Sequence, residues 1–176
     1  MRRLILFRHA KSDWSDADRD DHERGLSTRG RRAAGPMGAW LAGRAFQLDL
    51  VICSTAKRAR ATWELAKAAF PEKPKVRFDN GIYMATPEAL LETVRATPAE
   101  VQTLLILGHN PGLEQFVELL ASKGDSEARR TLSEKFPTAA IAVLDFAADG
   151  WADIAPHSAR LDRFVTPKLL GIGEAA

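Results

Sequence analysis

A chain of 176 residues, 45% of them hydrophobic and 27% charged, has the size and composition of a soluble globular domain. The net charge of +2 is too small to argue for nucleic acid. Its basic clusters (Arg24, Arg29, Arg31 and Arg32, then Lys57, Arg58 and Arg60) lack the interleaved aromatics of a nucleic-acid groove and read as solvated helix faces, Arg58 excepted. No apolar run approaches the roughly 20 residues needed to cross a bilayer, so no membrane association is expected.

The opening Met-Arg-Arg-Leu-Ile-Leu-Phe has the order of a signal peptide, but its apolar stretch stops at Arg8 and no small-residue cleavage site follows. Leu4 to Phe7 is instead a buried strand, and a cytoplasmic protein is expected. Asp13 to Arg24 is polar and aperiodic, hence a loop. Ser27 suits an N-cap for a helix carrying Ala33, Met37, Trp40, Leu41 and Ala45, with Pro36 expected to kink it or start a new segment. Leu48 to Cys53 is a second strand, with the single Cys53 a buried structural thiol. A helix from Ala56 to Phe70 follows, then a short strand Val76 to Phe78 and a helix Pro87 to Ala96. Thr103 to Leu107 is the third strong strand, leading into a helix Pro111 to Ala121. Ser122 to Lys135 reads as a surface excursion, and Ala139 to Phe146 with Trp151 to Ile154 as a β-hairpin. Strands alternating with helices predict an α/β three-layer sandwich: a mostly parallel central sheet with an antiparallel edge, and helices on both faces.

Three of the apolar strands end in residues suited to phosphate: Arg8-His9, Ser54 with Arg58 one turn into its helix, and His109. Ligands of open α/β sheets bind outside the carboxyl ends of the strands, so Arg8, His9, Arg58 and His109 should meet on one rim. Two guanidiniums matching phosphate oxygens bidentately, beside two imidazoles, make an anion site. In Gly108-His109-Asn110-Pro111-Gly112, Asn110 suits an N-cap and Pro111 the first helical position, which would aim free helix N–H groups at the same rim.

Arg8-His9-Ala10, Ser54-Thr55-Ala56-Lys57-Arg58-Ala59-Arg60-Ala61-Thr62 and Gly108-His109-Asn110-Pro111-Gly112 together resemble the histidine phosphatase (phosphoglycerate mutase-like) superfamily. The likeness is nearest to its short SixA-like branch of phosphohistidine phosphatases. Arg24-Gly25-Leu26-Ser27-Thr28-Arg29-Gly30 adds a fourth motif, and the resemblance runs from Met1 to about Pro167. It implies one catalytic domain over residues 1–176. The family's usual Arg-His-Gly is Arg-His-Ala here, which is tolerable if Ala10 needs no positive φ. The Glu acid of mutases and many phosphoesterases has no counterpart in Asp79-Asn80-Gly81-Ile82-Tyr83-Met84.

The resemblance further implies that His9 attacks phosphorus and forms a phosphohistidine, while Arg8 and Arg58 hold the nonbridging oxygens. A protonated His109 would be a third clamp. Ser12 and Ser15 occupy positions that contact phosphate in relatives, although loop capping explains them equally. Asp21 is the candidate proton donor, its alternative role being a partner for Arg24 or Arg19. Thr62 is expected to pack or bond locally. His9, His22, His109 and His157 show no metal-binding spacing, so neither metal nor other cofactor is expected, with His22 and His157 incidental. The expected partner is a phosphorylated protein, such as a His-phosphorylated carrier, or a small phosphorylated metabolite. A noncatalytic phosphate-binding module is the reading of another class, opposed by the intact pair His9 and His109. A monomer is the default.

Overall fold

The computed structural model describes residues 1–172; residues 173–176, the end of the expected domain, lie outside the described residues. Seven strands form one sheet: β1 (Arg2–Arg8), β2 (Leu50–Ser54), β3 (Lys75–Asp79), β4 (Thr103–Gly108), β5 (Ala121–Gly124), β6 (Ile141–Phe146) and β7 (Ala159–Val165). The helices are α1 (Thr28–Gly43), α2 (Lys57–Ala66), α3 (Pro87–Arg95), α4 (Gly112–Leu120) and α5 (Ser126–Glu134).

The strand order is β3-β2-β4-β1-β6-β7-β5. β3, β2, β4 and β1 are parallel neighbours, β6 runs antiparallel to β1 and β7, and β5 is parallel to β7. The mostly parallel sheet is therefore as anticipated; its reversed strand, β6, is an inner strand rather than an edge. Alternation along each strand divides the core between two faces. Leu4, Leu6, Leu104 and Ile106 pack with Leu90, Val94, Leu113 and Phe116 of α3 and α4. Ile5, Phe7, Leu105 and Leu107 pack with Met37, Leu41 and Trp63 of α1 and α2. Each fully buried aliphatic side chain contributes about 1.5–3 kcal/mol, so these runs fix the register of the strands whose ends carry the chemistry.

Several expectations are corrected. Of the two outcomes expected at Pro36, a kink or a new segment, the second does not occur: α1 runs through it. The proline is exposed, so the carbonyl it leaves unbonded, that of exposed Arg32, lies on the solvent side. Ser27 caps this helix as expected, accepting the Gly30 N–H at 3.0 Å. Ser122 to Lys135 holds part of β5 and all of α5, the latter capped by Asp125, which accepts the Ala128 N–H at 2.8 Å. Only Ala128 of α5 is buried, so it carries no apolar stripe for sequence to reveal. The strand that follows β6 and pairs with it antiparallel is β7, not Trp151 to Ile154. Trp151–Asp153 is a short 3-10 turn whose indole N–H donates to the Val101 carbonyl at 2.6 Å. Among the described residues no helix is long and apolar enough to cross a membrane.

Candidate active site

The parallel register sets Arg8 beside Gly108 and Cys53 beside Leu107, so the residues following β1, β2 and β4 share one rim. Beyond β1, the His9 N–H donates to the Gly108 carbonyl at 3.1 Å, and the His9 carbonyl accepts the Ala139 N–H at 3.0 Å. Nδ1 of His9 lies 2.7 Å from the Ala10 carbonyl. A carbonyl only accepts, so Nδ1 carries the proton and Nε2 keeps its lone pair. Burial draws the His9 pKa down to about 3, with Arg58 and Arg8 acting in the same sense. At neutral pH the ring is uncharged.

His109 lies with its ring centroid 5.2 Å from that of His9. Its Nδ1 is 3.3 Å from the Arg58 guanidinium and its Nε2 is 2.7 Å from Ser54 Oγ. A guanidinium only donates, so Nδ1 accepts and Nε2–H donates to Ser54. Burial, then His9 and Arg58, take the His109 pKa down to about 3. As it stands here His109 is therefore neutral, with Arg58 and Arg8 opposing its protonation and Asp21 only partly offsetting them. The protonated ring is expected beside a phosphate dianion, whose charge acts in the opposite sense.

His9, Arg58 and His109 are 5%, 4% and 3% exposed. Arg8 donates to the Phe136 carbonyl at 2.9 Å, while its Nε is buried with no hydrogen-bond partner among the described residues. Arg58 donates to the Asp21 carbonyl at 2.7 Å and to Asp21 Oδ2 at 3.0 Å. Thr62 accepts the Ala10 N–H at 3.0 Å and donates to the Arg58 carbonyl at 2.8 Å, the local bonding role expected of it. Ala10 is absent from the non-glycine residues with positive φ, so alanine costs nothing there.

Asp21 pairs with neither Arg24 nor Arg19. Its carboxylate joins Arg58 and accepts the Tyr83 hydroxyl at 2.5 Å. Tyr83, then Arg58, holds its pKa below the usual carboxylate range, so this candidate proton donor is ionised in the structure. Tyr83 is the residue the sequence did not reveal. Its ring lies edge-on to His109 and to His22, with centroids 5.4 Å and 5.0 Å away. His22 is not incidental: its Nε2 is 2.8 Å from Thr55 Oγ1, which donates to Asn80 Oδ1 at 2.8 Å. Met84, next to Tyr83, has φ of 50°. The turn there is pressed against α4 so closely that a Cβ on Gly112 would lie 2.1 Å from the Ala85 carbonyl oxygen.

The remaining candidates sit apart. Ser12 is buried and bridges Leu26, and Ser15 is exposed in a turn closed by the Asp13 carboxylate; neither side chain bonds to the cluster. Asn110 is committed to structure, donating to the Phe136 carbonyl at 2.9 Å and accepting the Glu114 N–H at 3.2 Å. The cap position of α4 is Pro111, one residue later than expected. Arg24, expected on a solvated face, is buried and donates to the carbonyls of Asp13, Asp16 and Arg19. Cys53 is fully buried, and its thiol pKa is pushed up to about 12. His157 donates its backbone N–H to the Leu119 carbonyl at 2.9 Å, away from the cluster. Among the described residues no group of three or more His, Cys, Asp or Glu is placed to hold a metal ion.

Comparison with known proteins decides the family. The profile of the histidine phosphatase superfamily (branch 1) matches residues 4–82. A structure described as a proposed phosphohistidine phosphatase SixA of Nakamurella multipartitia superposes with a TM-score of 0.81 at 33% identity, over 94% of this chain and 96% of that one. The chain belongs to the histidine phosphatase superfamily, in its SixA-like branch. It is a phosphatase. A second SixA structure, from Agrobacterium tumefaciens and described in the same terms, gives a TM-score of 0.79 at 31% identity, over 94% and 98% of the two chains. An uncharacterised protein of Mycobacterium tuberculosis is 39% identical over 92% of this chain and all of its own length. At the strand ends of this phosphatase the guanidiniums of Arg8 and Arg58 stand with the rings of His9 and His109, and the Asp21–Tyr83 pair touches Arg58 and His109.

Proposed function

We propose that this phosphatase works through a covalent phosphohistidine on His9, without a metal, and that its substrate is phosphohistidine in a protein. One observation carries the reading: a buried, neutral imidazole whose Nε2 lone pair is left available beside two guanidiniums. Nε2 attacks phosphorus in line, and the bond from phosphorus to the leaving group breaks. Arg8 and Arg58 stabilise the charge on the nonbridging oxygens, with His109 beside them, its protonation favoured by the phosphate dianion. Water then attacks the phosphohistidine, releasing inorganic phosphate and restoring His9.

Asp21 bears on the leaving group. As an anion on Arg58 it occupies donors that a phosphoryl group needs, so substrate must displace it from that guanidinium. A carboxylate separated from Arg58 and set beside a phosphate dianion has its pKa raised, which turns Asp21 into an acid only once substrate is bound. An acid conditional in this way suits a leaving group that needs little help. A phosphoimidazole leaves readily once its ring is protonated, whereas an alkoxide needs strong proton assistance. The description of the Nakamurella and Agrobacterium relatives as proposed phosphohistidine phosphatases supports the same substrate class. A phosphomonoesterase acting on a small metabolite is the second reading, favoured by the presence of any carboxylate at the site.

The test compares turnover of a phosphorylated His-containing carrier protein with a panel of sugar and nucleotide phosphates. In parallel, rapid quench would look for acid-labile phosphate on the enzyme. We expect preference for the carrier and a label absent from His9→Asn. Faster turnover of a sugar or nucleotide phosphate would select the second reading, and absence of label with every donor would remove His9 as nucleophile.

A further inference from the structure

We propose that a basic cleft beside the active site docks an acidic segment of the phosphorylated protein substrate; this rests on the reading that the substrate is a protein. The cleft, of about 620 Å³, lies between the start of α1, the segment after α5 and the chain following β7. Lys11, Arg29, Arg130, Lys135 and Lys168 line it, with Glu134 the one carboxylate. All five cations are exposed, and among the described residues none of them makes an ion pair. Five exposed cations set against one carboxylate among the described residues give the cleft a positive potential that favours an anionic occupant.

The rest of the lining gives the occupant its class. Ala33, Pro137, Leu169 and Ile172 add apolar surface to the same lining, and Leu169 is 56% exposed. No aromatic or histidine lines the cleft, so it offers no surface on which bases would stack. Cations interspersed with aliphatic side chains fit a peptide with carboxylates flanking an apolar side chain. The cleft's charges would act mainly by steering association and setting register.

Position ties the cleft to the chemistry. Lys11 is two residues beyond His9, and successive Cα atoms are about 3.8 Å apart, so their Cα atoms lie within about 8 Å. On the other wall, Pro137 follows Phe136, whose carbonyl accepts both Arg8 and Asn110. Two residues further on, the Ala139 N–H holds the His9 carbonyl. An extended chain advances about 3.3 Å per residue, so a segment seated here would lie only a few residues from a phosphohistidine presented to His9.

The test uses two phosphohistidine peptides that differ only in flanking residues, Glu in one and Gln in the other, with the full-length protein and a R130Q/K135Q/K168Q variant. None of the three positions belongs to the catalytic cluster. Turnover of p-nitrophenyl phosphate should be the same in both proteins, showing the variant intact. The wild type should show a kcat/KM about tenfold higher for the Glu-flanked peptide, a preference that fades with added salt. In the variant that preference should vanish, leaving the Gln-flanked peptide unaffected. A preference that survives the substitutions, or an equal fall for both peptides, would overturn the proposal. A fluorescent, unphosphorylated Glu peptide supplies an arm independent of chemistry. Weaker binding of it to the variant supports the cleft even if no phosphohistidine compound is turned over, the outcome that instead rejects the substrate reading. No binding to either protein, or displacement by a DNA oligonucleotide in preference to unlabelled Glu peptide, overturns the docking.

Discussion

The two sides of the active-site cluster are held by different means. On the sheet side, His9, Arg8 and His109 follow strands whose neighbours are fully buried, and each is fixed through short bonds to the frame. The His9 ring is held by the Ala10 carbonyl, Arg8 by the Phe136 carbonyl and His109 by Ser54 at the end of β2. On the facing side, Asp21 comes from a single 3-10 turn and Tyr83 from a turn after the edge strand β3. These two are held by side chains: Tyr83 to Asp21, Asp21 to Arg58, and His22 to Thr55. Two backbone carbonyls and the Ser54 hydroxyl keep His9, Arg8 and His109 in place, whereas the side-chain contacts among Asp21, Tyr83 and Arg58 can be exchanged when substrate arrives. On the mechanism proposed above, the difference gives permanence to His9, Arg8 and His109 and movement to Asp21 and Tyr83.

Removing the carboxylate from the facing side should break that division most visibly. Asp21→Asn keeps the shape but supplies no acid, so kcat for an alkyl phosphate should fall about 100-fold, within the range for loss of a general acid. Phosphoimidazole turnover should fall less than about tenfold, and vanadate should bind at least as tightly, because Arg58 no longer has an anion to surrender. Steady-state kinetics on both substrates decides it. An equal loss on both would make Asp21 a positioning residue for Arg58 rather than a proton donor.

Legibility in the sequence followed the same division. Leu4 to Phe7, and the parts Leu50 to Cys53 and Leu104 to Leu107 of the other two runs, are buried on both faces, and their ends announced His9, the Ser54–Arg58 segment and His109. Tyr83 carried no such signal, since β3 is a half-exposed edge and the approach depends on a non-glycine residue at positive φ. Asp21 was visible as a loop carboxylate, but its partners lie 37 and 62 residues away, which no local spacing encodes. β7 escaped because a register shift opposite Val143 and Leu144 breaks its alternation at Asp162-Arg163. The new segment expected as one outcome at Pro36 came from a rule about helix interiors that takes no account of which side faces solvent.

The frame can be probed through stability. Free histidine titrates near 6.5, and both His9 and His109 are held down to about 3. Between those values the unfolded chain binds protons that the folded protein refuses, so stability should fall as pH drops from about 6.5 towards 3. Each histidine can contribute up to about 1.4 kcal/mol per pH unit within that window, or tenfold in the folding equilibrium. Denaturant midpoints at pH 7 and pH 4.5 measure it, and His109→Gln should flatten the decline. An unchanged slope in that variant would mean the frame admits protons more readily than its burial implies.

The smallest expected effect comes from Tyr83→Phe, which removes one hydroxyl and keeps the ring against His109 and His22. The hydroxyl is the largest influence holding Asp21 below the usual carboxylate range. Without it the Asp21 pKa rises, so the fraction able to donate a proton persists to higher pH. The basic limb of kcat/KM for an alkyl phosphate should therefore move upwards, while the rate at its optimum changes less than about tenfold. Phosphoimidazole, which needs little help from Asp21, should show no matching displacement. A basic limb that stays in place, with both substrates slowed alike, would show that the ring packs the cover together and that the hydroxyl does not set the acid.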